Sequence, residues 1–134
     1  MILLNSELTV SSNSRTELIN LDSRIQALIN ENQIDDGVCL VFVPHTTAGV
    51  TINENADPDV VKDLTTELNK IIPFQDDYLH AEGNSAAHIK STLVGASETV
   101  FIQNGRLKLG TWQSIFFCEF DGPRSRKVWI QILK

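Results

Sequence analysis

The chain has 134 residues with 17 acidic and 11 basic side chains, so its formal net charge is −6. That balance argues against a protein held on nucleic acid or on an anionic membrane by bulk charge. The length fits a single domain, residues 1–134, and a hydrophobic fraction of 42% supplies a core. We therefore expect a globular protein with no nucleic-acid partner and no membrane partner.

The amino terminus and the cysteines indicate the compartment. The apolar row at Ile2–Leu4 has no basic segment before it and does not have the form of a signal peptide. No apolar run approaches the ~20 residues that a membrane span needs. Cys39 and Cys118 each lie in an apolar run, which is typical of buried free thiols. We therefore expect a cytoplasmic protein.

The first two thirds of the chain alternate between strand and helix patterns. Runs of apolar and β-branched residues predict strands at 7–11, 16–21, 38–43 and 49–52. Three polar pairs mark helix starts: Asp22-Ser23, Asp57-Pro58 and Asn84-Ser85. The third of these helices is expected to end near residue 93, because Gly95 follows.

The last third of the chain is rich in strand patterns. Asn104-Gly105 is the favoured two-residue turn between two short strands. A second hairpin is expected between 112–120 and 127–133, turning at Gly122-Pro123. The mixture predicts an α+β fold with a largely antiparallel sheet or sandwich core and about three helices.

All three histidines lie in polar motifs of small residues and not in apolar runs. His45 follows the strand at 38–43, and His80 and His88 bracket residues 81–87, a loop that can fold back to bring these two rings together. Histidine is the side chain most used for metal binding and for proton transfer near neutral pH. Three histidines could hold Zn²⁺ or a similar divalent ion and leave one position open. The metal-free alternative is one histidine as a proton shuttle and the others on an anionic substrate.

Two glutamates are candidates to assist the histidines. Glu54 precedes the second helix, and Glu82 lies between His80 and His88. Each could act as a general base, orient a histidine or bind Mg²⁺. The candidate catalytic residues are His45, Glu54, Glu82 and His88, and the candidate metal ligands are His45, His80 and His88.

Phosphate-binding candidates carry positive charge or offer hydrogen bonds. Arg124 and Arg126 belong to the only strongly basic patch, and arginine can grip a phosphate with two nitrogens. The alternative for this patch is a solvated turn with an Asp121–Arg124 contact. Free N–H groups at the start of the third helix also attract phosphate. The candidate substrate-binding residues are Thr46, Thr47, Asn55, Asn84, Ser85, Arg124 and Arg126. Trp112 is expected in the core or at an interface.

Five motifs in this order resemble the YjbQ-like family, which is usually described as secondary thiamine-phosphate synthase. They are Pro44–Gly49, Asn53–Pro58, His80–His88, Leu109–Gln113 and Glu119–Arg126. The resemblance implies a compact α+β fold with a sandwich-like core, a homotrimer, and a site near a subunit boundary. It also implies an activity that joins a pyrimidine diphosphate to a thiazole phosphate and releases pyrophosphate.

Three functions follow from these patterns. The first is this transferase, with small phosphorylated substrates held by the arginines and Mg²⁺ arriving with the substrate. The second is a zinc-dependent hydrolase of a small phosphorylated or amide substrate, with Glu54 or Glu82 as the base. The third is a ligand-binding trimer without catalysis, in which the apolar strands and Trp112 serve assembly.

Overall fold

Strands and helices follow the same order along the chain as the sequence patterns. The computed structural model describes residues 1–134. The strands are β1 (Ile2–Ser11), β2 (Glu17–Asn20), β3 (Gly37–Phe42), β4 (Ala48–Glu54), β5 (Ser97–Gln103), β6 (Arg106–Leu107), β7 (Gln113–Glu119) and β8 (Ser125–Leu133). The helices are α1 (Asp22–Glu31), α2 (Pro58–Ile71) and α3 (Ser85–Val94).

The strands form two antiparallel sheets. The larger sheet has the order β1-β8-β3-β5-β6 and the smaller one β2-β7-β4. The main core of 18 buried residues draws on α1 and on both sheets. A second cluster around Phe116, Cys118 and Phe120 packs the opposite face of β7 against α2 and α3. The predicted α+β class, with antiparallel sheets and three helices, is therefore confirmed.

The second predicted hairpin is wrong. β7 and β8 lie in different sheets, so the segment through Gly122-Pro123 is a crossover between sheets. The reason is burial: residues 114–119 of β7 are all buried, so this strand must be central and covered on both faces. β8 alternates between buried and exposed residues and needs a core on one face only.

Only one of the three predicted helix caps forms. The Asp57 carboxylate caps α2 by accepting the N–H of Asp59 at 2.9 Å. The Asn84 side chain does not cap α3. Asp22 is the first residue of α1, and its carboxylate accepts the N–H of Ile115 in β7 at 2.8 Å. A cap contributes only about 1 kcal/mol, so a tertiary hydrogen bond can replace it.

The end of α3 lies directly against the start of β4. A Cβ atom at Gly49 would come within 2.6 Å of the carbonyl oxygen of Gly95, so only glycine fits there. The N–H of Val50 donates to the same carbonyl at 3.1 Å. This close approach fixes α3 beside the segment that joins β3 to β4.

Both cysteines are buried and unpaired, as predicted. Burial raises the pKa of the Cys39 and Cys118 thiols to about 12, so neither is a reactive thiolate near neutral pH. None of the three helices combines the length and the apolar character that crossing a bilayer requires.

Candidate functional site

His45 lies just beyond the end of β3 and is held against β8. The β3–β8 pairing ends where Phe42 lies opposite Trp129. Beyond that point the His45 ring replaces the backbone of β3 as the hydrogen-bond partner of β8, because its Nε2 accepts the backbone N–H of Lys127 at 2.9 Å. Burial lowers the pKa of His45, and the positive charge of Arg126 lowers it further. The ring is therefore held in its neutral form at ordinary pH.

His80 and His88 lie together on the other side of the site. His88 is in the first turn of α3, and the preceding loop folds back so that the two ring centroids are 5.5 Å apart, edge to face. This arrangement confirms the prediction that the loop brings the two histidines together. Glu82 extends from the same loop, with Oε2 at 3.7 Å from His80 Nε2.

Two neighbouring cavities share His88. The first has a volume of about 420 Å³ and the second about 350 Å³, which is the size range of small-molecule sites. The first is lined by His45, Thr46, Ala48, His88, Ser91, Thr92, Gly95 and Ala96. The second is lined by Tyr78, His80, Ser85, His88 and Ile89. All three histidines therefore face one of two adjoining cavities.

The predicted three-histidine metal set does not form within one chain. No group of three His, Cys, Asp or Glu side chains is close enough to hold a metal ion. The physical reason is that His45 is fixed to β8, whereas His80 and His88 belong to α3 and its preceding loop. His80, His88 and Glu82 offer imidazole and carboxylate donors of the kind that zinc accepts, but they are not grouped around a common point.

Arg126 is buried in an ion pair and is not available to a phosphate. Only 3% of its side chain is exposed, and its guanidinium donates to both carboxylate oxygens of Glu119, whose side chain is fully buried. It also donates to the hydroxyl of Thr47 at 2.8 Å. The sequence prediction for Arg126 and Thr47 is therefore wrong. Arg126 shares its face of β8 with the buried Val128 and Ile130.

Glu119 stays ionised because it has several hydrogen-bond donors. Burial alone would raise the pKa of its carboxyl, but hydrogen bonds from Arg126, Ser12 and the Asp121 N–H outweigh burial and lower the pKa. The Ser12 hydroxyl donates at 2.7 Å and the Asp121 N–H at 3.0 Å. The buried pair thus ties the 44–47 segment, which carries His45, to the start of the crossover.

Asp121 links this network to α3. Its Oδ2 accepts the side-chain amide of Asn84 at 3.0 Å, at the start of α3. The same oxygen accepts an N–H from Arg124 at 3.1 Å, which confirms the contact expected for a solvated turn. The Arg124 side chain is 49% exposed, so it stays open to solvent, although it lines neither cavity. Of the two predicted phosphate-binding arginines, only Arg124 is available.

Glu54 and Asn55 lie far from the histidines of their own chain. β4 begins at Ala48, next to the first cavity, and runs six residues to Glu54, a rise of about 20 Å. Asn55 donates its backbone N–H to the carbonyl of Trp112 at 3.0 Å. Trp112 is 62% exposed, so of the two expected positions, the core or an interface, the core of the chain is excluded and the interface stays a prediction.

Sequence reasoning missed part of the cavity lining. Ser91 and Thr92 follow His88 by three and four residues, a spacing that places them on one helix face and could have identified them. Their hydroxyls donate to the carbonyls of residues 87 and 88, so toward a ligand they can only accept. Tyr78 lines the second cavity and had no motif to mark it.

Lys90 is a second feature that the sequence did not reveal. Its side chain is fully buried, and its ammonium donates to the side-chain amide oxygen (Oδ1) of Asn69 at 2.5 Å. The ammonium also lies over the Phe74 ring, 3.8 Å from the centroid. Burial, reinforced by the charge of Arg15, lowers the pKa of Lys90 to about 8.

Fold and site together define an α+β protein with two antiparallel sheets and adjoining histidine-lined cavities. The chain belongs to the family described as UPF0047 protein YjbQ-like, whose family model matches residues 6–134. This finding confirms the family that the five motifs indicated.

Relatives in bacteria and archaea share this sequence and fold. UPF0047 protein YugU of Bacillus subtilis is 49% identical over 127 residues, which covers 94% of this chain and 96% of that protein. UPF0047 protein MJ1081 of Methanocaldococcus jannaschii is 50% identical over 124 residues, 92% and 90% of the two chains. The crystal structure of an uncharacterized conserved protein of the yjbq/upf0047 family from Clostridium acetobutylicum matches with a TM-score of 0.92 at 49% identity, covering 96% and 99%. The crystal structure of a YbjQ-like protein of unknown function from Sulfolobus solfataricus P2 matches with a TM-score of 0.91 at 30% identity, covering 97% of this chain and 96% of that chain.

Proposed function

We propose that the protein is a transferase of the thiamine-phosphate synthase type. It joins a pyrimidine diphosphate to a thiazole phosphate and releases pyrophosphate. The observation that carries this proposal is the pair of adjoining cavities that share His88, since a reaction of two substrates needs two neighbouring subsites. The resemblance of the five motifs supports the same substrates.

The chemistry of this reaction fits a site without a strong base. A ring nitrogen of the thiazole attacks the methylene carbon of the pyrimidine, and the C–O bond to the diphosphate breaks. The leaving pyrophosphate takes the electron pair, and the attacking nitrogen has no proton to lose. The protein must therefore orient the two substrates and stabilise the growing negative charge. Arg124 is the exposed cation suited to that charge.

The proposal includes a homotrimer with a shared site. Support comes from Glu54 and Asn55, which lie about 20 Å along β4 from the histidine cavity of their own chain. They can assist His88 only if a neighbouring subunit supplies them. The exposed Trp112 beside Asn55 is suited to such a contact. Native mass spectrometry is expected to give a trimer, and a monomer would contradict this part.

The activity test uses the purified protein with both substrates, once with Mg²⁺ and once with Zn²⁺. We expect thiamine phosphate and pyrophosphate in equal amounts. His88→Ala is expected to lower kcat/KM at least 100-fold, because it removes a side chain common to both cavities. Lys62→Ala, an exposed change on α2, is the matched control and should leave the rate unchanged. No product from the wild type with either metal would overturn the proposal.

A metal-dependent hydrolase is the second candidate. The observation in its favour is that His80 and His88 both line the second cavity with their rings in edge-to-face contact, and that Glu82 lies beside His80. Here a hydrolysable phosphate ester or amide would be turned over only with Zn²⁺ or another divalent ion. If neither activity appears while ligand still binds, the third candidate, a ligand-binding trimer, is supported.

A further inference from the structure

The hydrogen bond to Lys127 determines which nitrogen of His45 carries the proton. Nε2 accepts a backbone N–H at 2.9 Å, and an accepting nitrogen needs a free lone pair. While this bond holds, the ring is neutral and its proton lies on Nδ1. The protein's own hydrogen bonds to the ring involve Nε2 alone, so Nδ1–H is left for another partner.

This arrangement opposes metal binding by His45 through either nitrogen. A metal on Nε2 would displace the Lys127 N–H, which lies beyond the last β3–β8 pair and would lose its protein acceptor. A metal on Nδ1 would move the proton to Nε2, where two N–H donors would then face each other. Each route sacrifices the hydrogen bond that fixes the ring.

We propose that His45 is a neutral hydrogen-bond donor whose Nδ1–H holds an oxygen of the substrate diphosphate, and that it is not a metal ligand. His45 lines the larger cavity, and any polar contact from its ring to a ligand there must use Nδ1. Arg124 is half exposed and close enough to His45 for its positive charge to lower the pKa of that ring, so an anionic oxygen is favoured over a neutral one. The diphosphate assignment rests on the proposed function, whereas the tautomer does not.

The tautomer is tested by NMR on the full-length protein labelled with ¹⁵N-histidine. Long-range ¹H–¹⁵N correlations distinguish a protonated ring nitrogen from an unprotonated one, and the variants His45→Asn, His80→Asn and His88→Asn assign the signals. At pH 7.5 we expect His45 to show a protonated Nδ1 and an unprotonated Nε2. The opposite tautomer, or an averaged signal, would overturn the inference.

Two variants of His45 separate its two hydrogen bonds. In His45→Gln the side-chain oxygen can still accept the Lys127 N–H, but the donor at the Nδ1 position is lost. In His45→Asn an amide N–H remains near the Nδ1 position and the acceptor is lost. Calorimetry with inorganic pyrophosphate is expected to show affinity about tenfold lower for His45→Gln, and within about threefold of wild type for His45→Asn. Equal losses in both variants would contradict a donor role, provided that thermal unfolding shows both to be folded.

Zinc titration tests the second half of the proposal. Both His45 variants are expected to bind zinc with the same affinity as the wild type, even if that affinity is negligible. If the wild type binds zinc measurably, His80→Asn and His88→Asn are expected to lose that binding. A loss of tenfold or more in both His45 variants would show that His45 is a ligand. If the wild type binds pyrophosphate but forms no thiamine phosphate, the proposed function is contradicted and the role of His45 is not. If the wild type does not bind pyrophosphate, the assignment of the diphosphate to His45 is overturned.

Discussion

A buried cation lies on each side of the histidine cavities, one behind His45 and one on α3. The positive charges of these two cations are balanced by different partners. Arg126, behind His45, donates to a carboxylate that is itself fully buried. Lys90, on α3 two residues from His88, has only the amide oxygen of Asn69 and the Phe74 ring. An ion pair with satisfied hydrogen bonds holds its charges over a wide pH range, whereas a buried lysine without a carboxylate is pushed toward its neutral form. The His45 side is therefore expected to be rigid and insensitive to pH above about 4.5, and the α3 side to be less so.

The largest effect is expected from breaking the buried pair. Glu119→Gln leaves Arg126 charged and without its counter-ion, and we expect a loss of about 3–5 kcal/mol in the free energy of unfolding. Urea denaturation measures this loss, with the exposed Glu31→Gln on α1 as the control. A change below about 1 kcal/mol would show that the pair does not hold the His45 side.

The same pair sets the acid limit of stability. Because the folded-state pKa of Glu119 lies below its ordinary value of 4.5, its stabilising contribution is fully present above about pH 4.5. It is lost as the pH falls through the lowered pKa. Acid unfolding of the wild type is therefore expected to show a step that Glu119→Gln lacks. Identical acid profiles would contradict the assignment.

Lys90 sharpens the comparison at alkaline pH. Its pKa is about 8 in the folded protein against an ordinary value of 10.5, so the unfolded chain binds more protons between these two pH values. Stability therefore rises with pH across this window, by about 1–2 kcal/mol after allowance for screening. The difference between wild type and Lys90→Met, followed by urea denaturation from pH 7 to 10.5, is expected to show the rise. Lys62→Met, an exposed lysine, should not remove it.

The link between the two sides is expected to contribute less. Asn84→Ala removes the hydrogen bond to Asp121 that joins α3 to the crossover. We expect a loss of about 1–2 kcal/mol, because the acceptor is charged but the bond is only partly buried. Amide hydrogen exchange should become faster in the first turn of α3 and stay unchanged in β8. Faster exchange in both regions would mean that the His45 side and the α3 side are not stabilised independently of each other.

The smallest change in stability is expected at Arg124. Arg124→Gln removes an exposed contact with Asp121 and should alter the free energy of unfolding by less than about 0.5 kcal/mol. Its effect should appear in ligand binding, as weaker affinity for pyrophosphate and a weaker dependence on salt. Unchanged pyrophosphate affinity would remove Arg124 from the site.

The two arginines show how far local patterns reach. Arg124 and Arg126 look alike in the basic patch, yet one is half exposed and the other is buried. The signal was present, since Arg126 shares the parity of Val128, Ile130 and Ile132 along an alternating strand. Because the segment was interpreted as a turn and not as the start of β8, this alternation was not used to predict that Arg126 is buried.

By itself the sequence determined the class of fold, the positions of most helices and strands, the Asp57 cap and the closeness of His80 to His88. Apolar periodicity, β-branched runs and turn residues act over a few residues, so these features can be predicted locally. Only the tertiary structure decided that β7 and β8 lie in different sheets, that Glu119 neutralises Arg126, and that Lys127, 82 residues away, fixes the proton of His45. These features depend on burial and on hydrogen bonds between distant segments, which exist only once the two sheets and α3 have packed together.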